Sequence, residues 1–204
     1  MGIALVFGLV IMVMVSATGH LSGAHLNPAV TVAFALARHF PARDVAAYVV
    51  AQILGAVLAA FCLLAVWPDA PAGLGATVPS VGTLSALVYE IVLTALLMFV
   101  ITAVATDVRA VGSGAALAIG GAVALDAMFG GLVTGASMNP ARSLGPALAA
   151  GEWRDAWVYV AGPLVGAAFG AFAYQLVRGE AGGLDEASKT RDAVDGVGSL
   201  RLPG

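Results

Sequence analysis

The sequence predicts an all-α membrane protein, a bundle of five spanning helices with two re-entrant half-helices arranged as an inverted repeat. Three observations lead to this fold class: a strongly apolar composition, apolar stretches of two distinct lengths, and a short element that occurs twice. Of the 204 residues, 60% are hydrophobic and only 10% are charged, whereas a soluble domain is about a quarter charged. The chain therefore belongs in a lipid bilayer.

Charge and cysteine content exclude several other classes of protein. The formal net charge is −3 and Lys and Arg do not cluster, so neither a nucleic-acid partner nor a polybasic lipid anchor is predicted. The single cysteine, Cys62, lies in an apolar run and has no partner for an intrachain disulfide. We interpret it as a small hydrophobic side chain.

The apolar stretches fall into two length classes. A helix needs about twenty residues to cross the hydrocarbon core, and four stretches reach that length: 42–66, 84–105, 115–133 and 156–177. The opening stretch, 2–16, is shorter, and we interpret it as a fifth helix that lacks its beginning. Two further stretches, 27–37 and 139–149, would span only roughly 16 Å as helices and cannot cross alone.

Charges between the stretches predict the orientation. Arg38, Arg43 and Arg109 lie in short connections that must share one side, and Arg178 opens the C-terminal segment on that side. The positive-inside rule makes that side cytoplasmic. From residue 179 the sequence turns polar, so we expect a transmembrane domain at 1–178 and a disordered cytoplasmic tail at 179–204.

The repeated element occurs at residues 22–37 and 134–149. The first copy reads S-G-A-H-L-N-P-A-V-T-V-A-F-A-L-A and the second T-G-A-S-M-N-P-A-R-S-L-G-P-A-L-A. Asn139 follows Asn27 by 112 positions, and three spanning stretches lie between them. An odd number of crossings inverts the second copy, so the half-helices enter from opposite faces and their N-termini meet near the midplane.

The Asn-Pro-Ala triplet has the chemistry of a helix start at a pore. Asn is a favoured N-cap and Pro suits the first helical position. The backbone before it is extended at membrane depth, which requires that its carbonyls face water or protein. Two positive helix ends aimed at one point repel cations, while the Asn amides donate hydrogen bonds to a passing oxygen. The pattern favours neutral hydroxyl-bearing molecules over protons and cations.

Several motifs resemble those of the major intrinsic protein family, the aquaporins and aquaglyceroporins, over residues 2–177. They are G-H-L-S-G-A-H-L-N-P-A-V-T at 19–31, F-P-A-R-D-V-A-A-Y-V-V-A-Q at 40–52, Tyr89-Glu90, and T-G-A-S-M-N-P-A-R-S-L-G-P-A at 134–147. The last is most similar to the nodulin-26-like and related bacterial branch. The resemblance implies a homotetrameric channel without cofactor, located in the bacterial inner membrane.

The resemblance also implies the site residues. The pore motifs would be Asn27, Pro28, Ala29, Asn139, Pro140 and Ala141, the selectivity filter Phe7, Ala127, Ala136 and Arg142, and the structural brace Glu90. Two alanines in the filter leave space beyond a water molecule. Glycerol, urea, ammonia and neutral metalloid acids are therefore the expected solutes, and a strict water channel is the alternative.

The sequence departs from the family at its start. Family members have six spanning helices, and by resemblance Met1 falls at the start of the second. The acidic residue of the family's first helix then has no counterpart here, and only Glu90 remains. A misplaced gene start or a truncated copy would explain this, and a nonconducting fragment is a further alternative.

Other polar residues raise rival functions. Asp126, inside an apolar stretch, is expected to make a structural hydrogen bond, and His20 and His25 are expected to be loop histidines rather than metal ligands. A secondary transporter would need coupling-ion ligands, for which only Asp126 and Glu90 are available in the spans. An intramembrane enzyme is less favoured, because no catalytic Ser/His/Asp grouping is present.

Overall fold

The computed structural model describes residues 1–69, 71–107 and 114–198, apart from the side chains of 71, 72 and 180–198. These residues form helices joined by short loops, without strands in the described ranges. The α-helices are α1 (Gly2–Ser22), α2 (Pro28–Leu36), α3 (Val45–Val66), α4 (Thr83–Thr106), α5 (Ala115–Gly130), α6 (Pro140–Ala150) and α7 (Val158–Gly198). Two 3-10 turns lie at Ala42–Asp44 and Pro71–Gly75.

The helices fall into long and short classes as the sequence predicts, except that α1 reaches spanning length, although its stretch was expected to be short, and α5 does not. Four helical segments are long and apolar enough to cross a membrane: Gly2–Ser22, Ala42–Val66, Thr83–Thr106 and Val158–Gly179. The fifth apolar helix, α5, has 16 residues. In contrast, α2 has 9 residues and α6 has 11, which is too short for either to cross alone.

Three helix ends differ from the sequence-based expectation. α1 continues to Ser22 instead of ending at 16, because the hydroxyls of Ser16 and Thr18 donate to carbonyls one turn back at 2.8 and 2.7 Å and so remain within the helix. α5 ends at Gly130, three residues early, where a turn begins. α7 continues to Gly198, although the sequence predicted disorder from residue 179. Extending an existing helix costs less free energy than nucleating a new one, which favours continuation of α7 into the polar segment. The boundary at 178 stays a prediction.

Glycines allow close contacts between helices. α7 packs on α4 along Gly162, Gly166 and Gly170, and a Cβ atom on any of them would overlap α4. α1 and α5 cross at Gly8 and Gly120, each of which lies against the backbone carbonyl of the other. Small residues let the backbones approach closely, as is common between membrane helices.

The helix ends that the charge pattern predicts to be cytoplasmic lie on one side of the bundle. Gln175 of α7 donates to the carbonyl of Ala37, just after α2, at 3.3 Å. One turn further along α7, Arg178 Nε lies 3.6 Å from a carboxylate oxygen of Asp107, just after α4. The ends of α2, α4 and the apolar part of α7 therefore lie on one side. Arg109 lies outside the described residues.

Candidate functional site

Each half-helix begins at an asparagine that caps it. Asn27 and Asn139 are extended, with φ −154° and −150°. The side-chain oxygen of Asn27 accepts from Ala29 N at 2.9 Å, and that of Asn139 accepts from Ala141 N at 3.0 Å. Pro28 and Pro140 follow as the first helical residues, where the missing N–H costs nothing.

The two caps also bind each other's loops. Asn27 Nδ2 donates to the carbonyl of Met138 at 2.7 Å, and Asn139 Nδ2 donates to the carbonyl of Leu26 at 2.9 Å. The bonds are reciprocal, because each carbonyl belongs to the residue just before the other asparagine. Each amide carries a second N–H that these bonds do not use. The N-termini of α2 and α6 therefore meet, and both can offer a donor at the junction.

The loops before the caps have the same unusual backbone. φ is 44° at both Ala24 and Ala136, and it is 50° at Leu26 and 53° at Met138. These are left-handed values that non-glycine residues rarely adopt. Because the same residues deviate in both copies, the strain belongs to the repeated element itself, as is common where backbone lines a functional site.

One cavity of about 780 Å³ runs past this junction. Residues from both halves line it, and most of the lining is apolar. Its wall includes both asparagines and all four predicted filter residues, namely Asn27, Asn139, Phe7, Ala127, Ala136 and Arg142. Pro28, Ala29 and Pro140 are not among the lining residues, and Ala141 lines a second cavity beside α3. The structure thus brings the predicted filter residues and the two capping asparagines to the same cavity.

Arg142 is held in place on two sides. Its guanidinium carbon lies 5.0 Å from the centre of the Phe7 ring, and Nη1 donates to the carbonyl of Gly75 at 2.6 Å. Nε is buried without a partner among the described residues. The sequence does not predict the contact with Gly75. That residue lies in a Pro- and Gly-rich connection without the hydrophobic periodicity from which its path could be inferred.

Glu90 organises the loop before α6. It is fully buried, and its Oε1 accepts from Thr134 Oγ1 at 2.7 Å and Ser137 N at 3.0 Å. Oε2 accepts from Met138 N at 2.8 Å. Tyr159 OH donates to the carbonyl of Thr134 at 2.7 Å. This is the contact set that a bracing carboxylate requires.

The corresponding loop before α2 is packed by aromatic rings instead. His25 lies 5.0 Å from Phe34, 4.8 Å from Phe40 and 5.5 Å from Tyr48, measured between ring centres. Its Nδ1 is 3.2 Å from Thr31 Oγ1. His25 is thus a loop histidine with packing and hydrogen-bond partners, and it lines the main cavity.

Within the described part of the chain, Asp126 does not make the structural hydrogen bond expected for it. The residue is only 6% exposed, and its Oδ2 is buried without a partner in the described ranges. It lies on α5 beside Ala127 and is not among the residues that line the main cavity. Sequence periodicity places a residue on a helix but does not identify which groups on neighbouring helices face it.

Known proteins are similar to this chain in sequence. The sequence model described as "Major intrinsic protein" matches residues 1–174. "Aquaporin NIP1-1" of Oryza sativa subsp. japonica is 52% identical over 177 residues, covering 87% of this chain and 62% of the relative. "Nodulin-26" of Glycine max is 50% identical over 195 residues, covering 96% and 72%. The chain spans 62% of the length of the rice relative and 63% of that of a relative from Zea mays.

A solved structure has the same overall arrangement. The X-ray structure of the aquaglyceroporin from Plasmodium falciparum aligns with a TM-score of 0.72 at 23% sequence identity, and the alignment covers 84% of this chain and 78% of that one. At this identity the likeness concerns the fold alone. It agrees with the all-helical bundle and the paired half-helices described above.

Proposed function

The chain belongs to the major intrinsic protein family, and on that premise we propose that it is a passive transmembrane channel for water and small uncharged solutes. One observation carries the proposal: a single cavity is lined by both capping asparagines and by Arg142. The names of the relatives, aquaporins among them, support the same function.

Selectivity against ions follows from three positive features around this passage. The N-termini of α2 and α6 each carry a partial positive charge from the helix dipole. Arg142 adds a full charge whose guanidinium is fixed by Phe7 and Gly75. A cation meets repulsion at each feature, while a neutral oxygen accepts from the free N–H of each asparagine. A water molecule bound there directs its own hydrogens away from the junction, which interrupts proton transfer.

The solutes we propose are glycerol, urea, ammonia and neutral metalloid acids, besides water. Ala127 and Ala136 present only methyl groups to the cavity, so the opening beside Arg142 can accept a solute with carbon atoms. Phe7 offers an apolar wall opposite the guanidinium, which donates to hydroxyl groups. One solved structure with this fold is that of an aquaglyceroporin. The second candidate, a strict water channel, is favoured by the contact of the Arg142 guanidinium with the Phe7 ring, 5.0 Å from its centre, because two large filter side chains touch there.

Stopped-flow light scattering on proteoliposomes tests the proposal. We expect water and glycerol permeabilities well above those of empty liposomes, with glycerol flux that does not depend on an ion gradient. Ala127→His, which narrows the opening, should reduce glycerol flux more than water flux. Water flux without any solute flux would support the strict water channel, and flux that requires a sodium or proton gradient would support a transporter.

We also propose the cellular context by family likeness. The protein would be an integral protein of a bacterial inner membrane with residues 1–178 as its channel domain, a cytoplasmic C-terminus and four copies in a ring. The position of Arg178 beside the end of α4 supports this orientation, because cytoplasmic segments carry an excess of Lys and Arg. Cross-linking in mild detergent should yield a tetramer, and a species that never exceeds a monomer would contradict it.

A further inference from the structure

The carbonyl that binds Arg142 belongs to an irregular connection between α3 and α4. Gly75 O accepts from Arg142 Nη1 at 2.6 Å, and Gly75 ends the 3-10 turn Pro71–Gly75. Gly73, Leu74 and Gly75 all have left-handed backbones, with φ of 59°, 53° and 80°. Two of these residues are glycines, which restrict the backbone least. A contact outside this run therefore has to fix the position of the carbonyl.

Thr77, two residues after this carbonyl, connects the segment to α6. It is 6% exposed, and its Oγ1 donates to Ser143 Oγ at 2.7 Å. Its methyl group faces Gly135, where an added Cβ atom would lie 3.0 Å from Thr77 Cγ2. Ser143 follows Arg142 in the sequence, and Gly135 precedes Ala136. Thr77 therefore contacts the chain neighbours of two filter residues.

The Thr77 hydroxyl begins a directed chain of hydrogen bonds that ends at a capping asparagine. Ser137 Oγ donates its one hydrogen to the carbonyl of Asn139 at 2.9 Å. Ser143 Oγ also bonds to Ser137 Oγ, and since each hydroxyl has a single hydrogen, Ser143 is the donor of that bond. Ser143 can then only accept from Thr77, as the geometry of their contact has it. The chain couples the connection to the start of α6.

The first copy of the repeat contains the same link with a different outside donor. His25 and Thr31 occupy the positions of Ser137 and Ser143 in the repeat, and His25 Nδ1 lies 3.2 Å from Thr31 Oγ1. Thr31 Oγ1 also accepts from Gln52 Nε2 at 2.9 Å. The outside donor of the first copy thus belongs to α3, whereas that of the second copy belongs to the connection that binds the filter arginine. Only the second copy has an arginine to position.

We propose that Thr77 is a positioning residue of the selectivity filter. Its hydroxyl fixes the connection to α6, and the fixed connection holds the carbonyl of Gly75 where it binds the Arg142 guanidinium. The Phe7 ring also contacts the guanidinium, but a ring face constrains its orientation less than a hydrogen bond does. The inference rests on the proposed channel function, because it assigns Thr77 to the specificity of that passage.

Three substitutions separate the hydroxyl of Thr77 from the rest of its side chain. Thr77→Val keeps the methyl group against Gly135 and removes the hydroxyl, whereas Thr77→Ser keeps the hydroxyl. Thr102→Val is the matched control, because Thr102 is also buried and its hydroxyl donates to the carbonyl of Met98 at 2.8 Å within α4. Size exclusion and circular dichroism establish which variants fold. Ser143→Ala, which removes the acceptor instead, serves if Thr77→Val does not.

Chemical modification of Arg142 is the first measurement, and it does not depend on transport. The full chain in mild detergent reacts with phenylglyoxal, and mass spectrometry compares Arg142 with Arg154, an exposed arginine of the same chain. We expect Arg142 to react at least about threefold faster in Thr77→Val, the change expected from one lost hydrogen bond. Thr77→Ser and Thr102→Val should react as the wild type does. Ser143→Ala should reproduce Thr77→Val, and the double variant should add nothing.

The ratio of erythritol to glycerol permeability in proteoliposomes is the second measurement. A guanidinium that is no longer fixed should admit a wider range of solutes, so this ratio should rise about threefold or more in Thr77→Val. It should return to the wild-type value in Thr77→Ser, which a role of the methyl group alone would not produce. Wild-type protein without solute flux would contradict the proposed solutes, while the modification rates would still test Thr77.

Three results would overturn the positioning role. The first is an Arg142 modification rate in Thr77→Val equal to that in Thr102→Val. The second is a Thr77→Ser variant that behaves like Thr77→Val, which would assign the effect to the methyl group against Gly135. The third is an additive effect of Thr77→Val and Ser143→Ala, because two residues that act through one hydrogen bond cannot add.

Discussion

The two loops at the junction have nearly the same backbone but are held by different chemistry. The loop before α6 is tied to the fully buried carboxylate of Glu90 by three hydrogen bonds. The loop before α2 instead surrounds His25 with the rings of Phe34, Phe40 and Tyr48. A repeated backbone geometry thus does not require repeated side chains. What the two halves share is the position of the capping asparagine and of the donors around it.

Loss of the Glu90 carboxylate should give the largest effect of any single change at the junction. Glu90→Leu leaves three buried donors without an acceptor, and removing one partner of a buried charged network typically costs about 3–5 kcal/mol. We expect the purified variant to aggregate or to unfold at much lower temperature in a thermal-shift assay. Glu90→Gln, which keeps one acceptor oxygen, should lie between. Wild-type stability of Glu90→Leu would contradict the bracing role.

Two helix glycines with different surroundings, Gly166 on α7 and Gly55 on α3, should respond in opposite directions to an added methyl group. Gly166→Ala places a methyl group against the carbonyl of Ile91 on α4 and should destabilise the protein by about 1–3 kcal/mol through overpacking. Gly55→Ala meets no atom and should stabilise α3 by up to about 1 kcal/mol through helix propensity. Chemical denaturation in detergent would measure both. Equal destabilisation would contradict the open space beside Gly55 on α3.

Replacing either capping asparagine by alanine should lower the free energy of unfolding by nearly the same amount. Asn27→Ala and Asn139→Ala each remove one cap and one bond to the opposite loop, so each should lower stability by about 1–3 kcal/mol. The reciprocal geometry predicts that the two losses agree within about 1 kcal/mol. A loss of stability in only one of the two variants, measured in the same denaturation assay, would show that the two halves are not energetically equivalent.

Replacing Arg142 by valine should change the stability of the protein least among these substitutions, and it should change the selectivity of the channel instead. Its counterpart in the first copy is Val30, so the positive charge belongs to one half only. Arg142→Val removes that charge from the low-dielectric passage and should raise proton or cation leak in proteoliposomes. A pH-sensitive dye inside the vesicles measures the leak, and Arg142→Lys, which keeps the charge, is the control. Unchanged leak in Arg142→Val would contradict the filter assignment.

Much of the architecture could be predicted because it follows from local pattern and from the repeat. Helix lengths separate the spanning segments from α2 and α6, and Asn-Pro marks the start of each half-helix. The odd number of spanning segments between Asn27 and Asn139 predicts the inversion, and with it the meeting of the two N-termini. Each of these inferences needs only spacing along the chain.

The remaining features depend on contacts between distant segments. The carbonyl of Gly75 that accepts from Arg142 lies in a loop without periodicity, and the unpaired Oδ2 of Asp126 depends on which groups of the neighbouring helices face it. The end of α1 at Ser22 is a local exception, because Ser16 and Thr18 have the composition of a loop but their hydroxyls donate to carbonyls one turn back within the helix.

The most direct test of the account is whether solute passes between the two loops. Ala24 and Ala136 occupy equivalent positions, one in each loop, and both line the main cavity. Each is replaced by Cys in a Cys62→Ser background, and glycerol flux is measured by stopped flow before and after a mercurial, with mercaptoethanol to reverse it. If both loops line one passage, both variants should lose most of their flux reversibly, while Cys62 alone should confer no block. Block at only one loop, or at neither, would contradict a single passage lined by both halves.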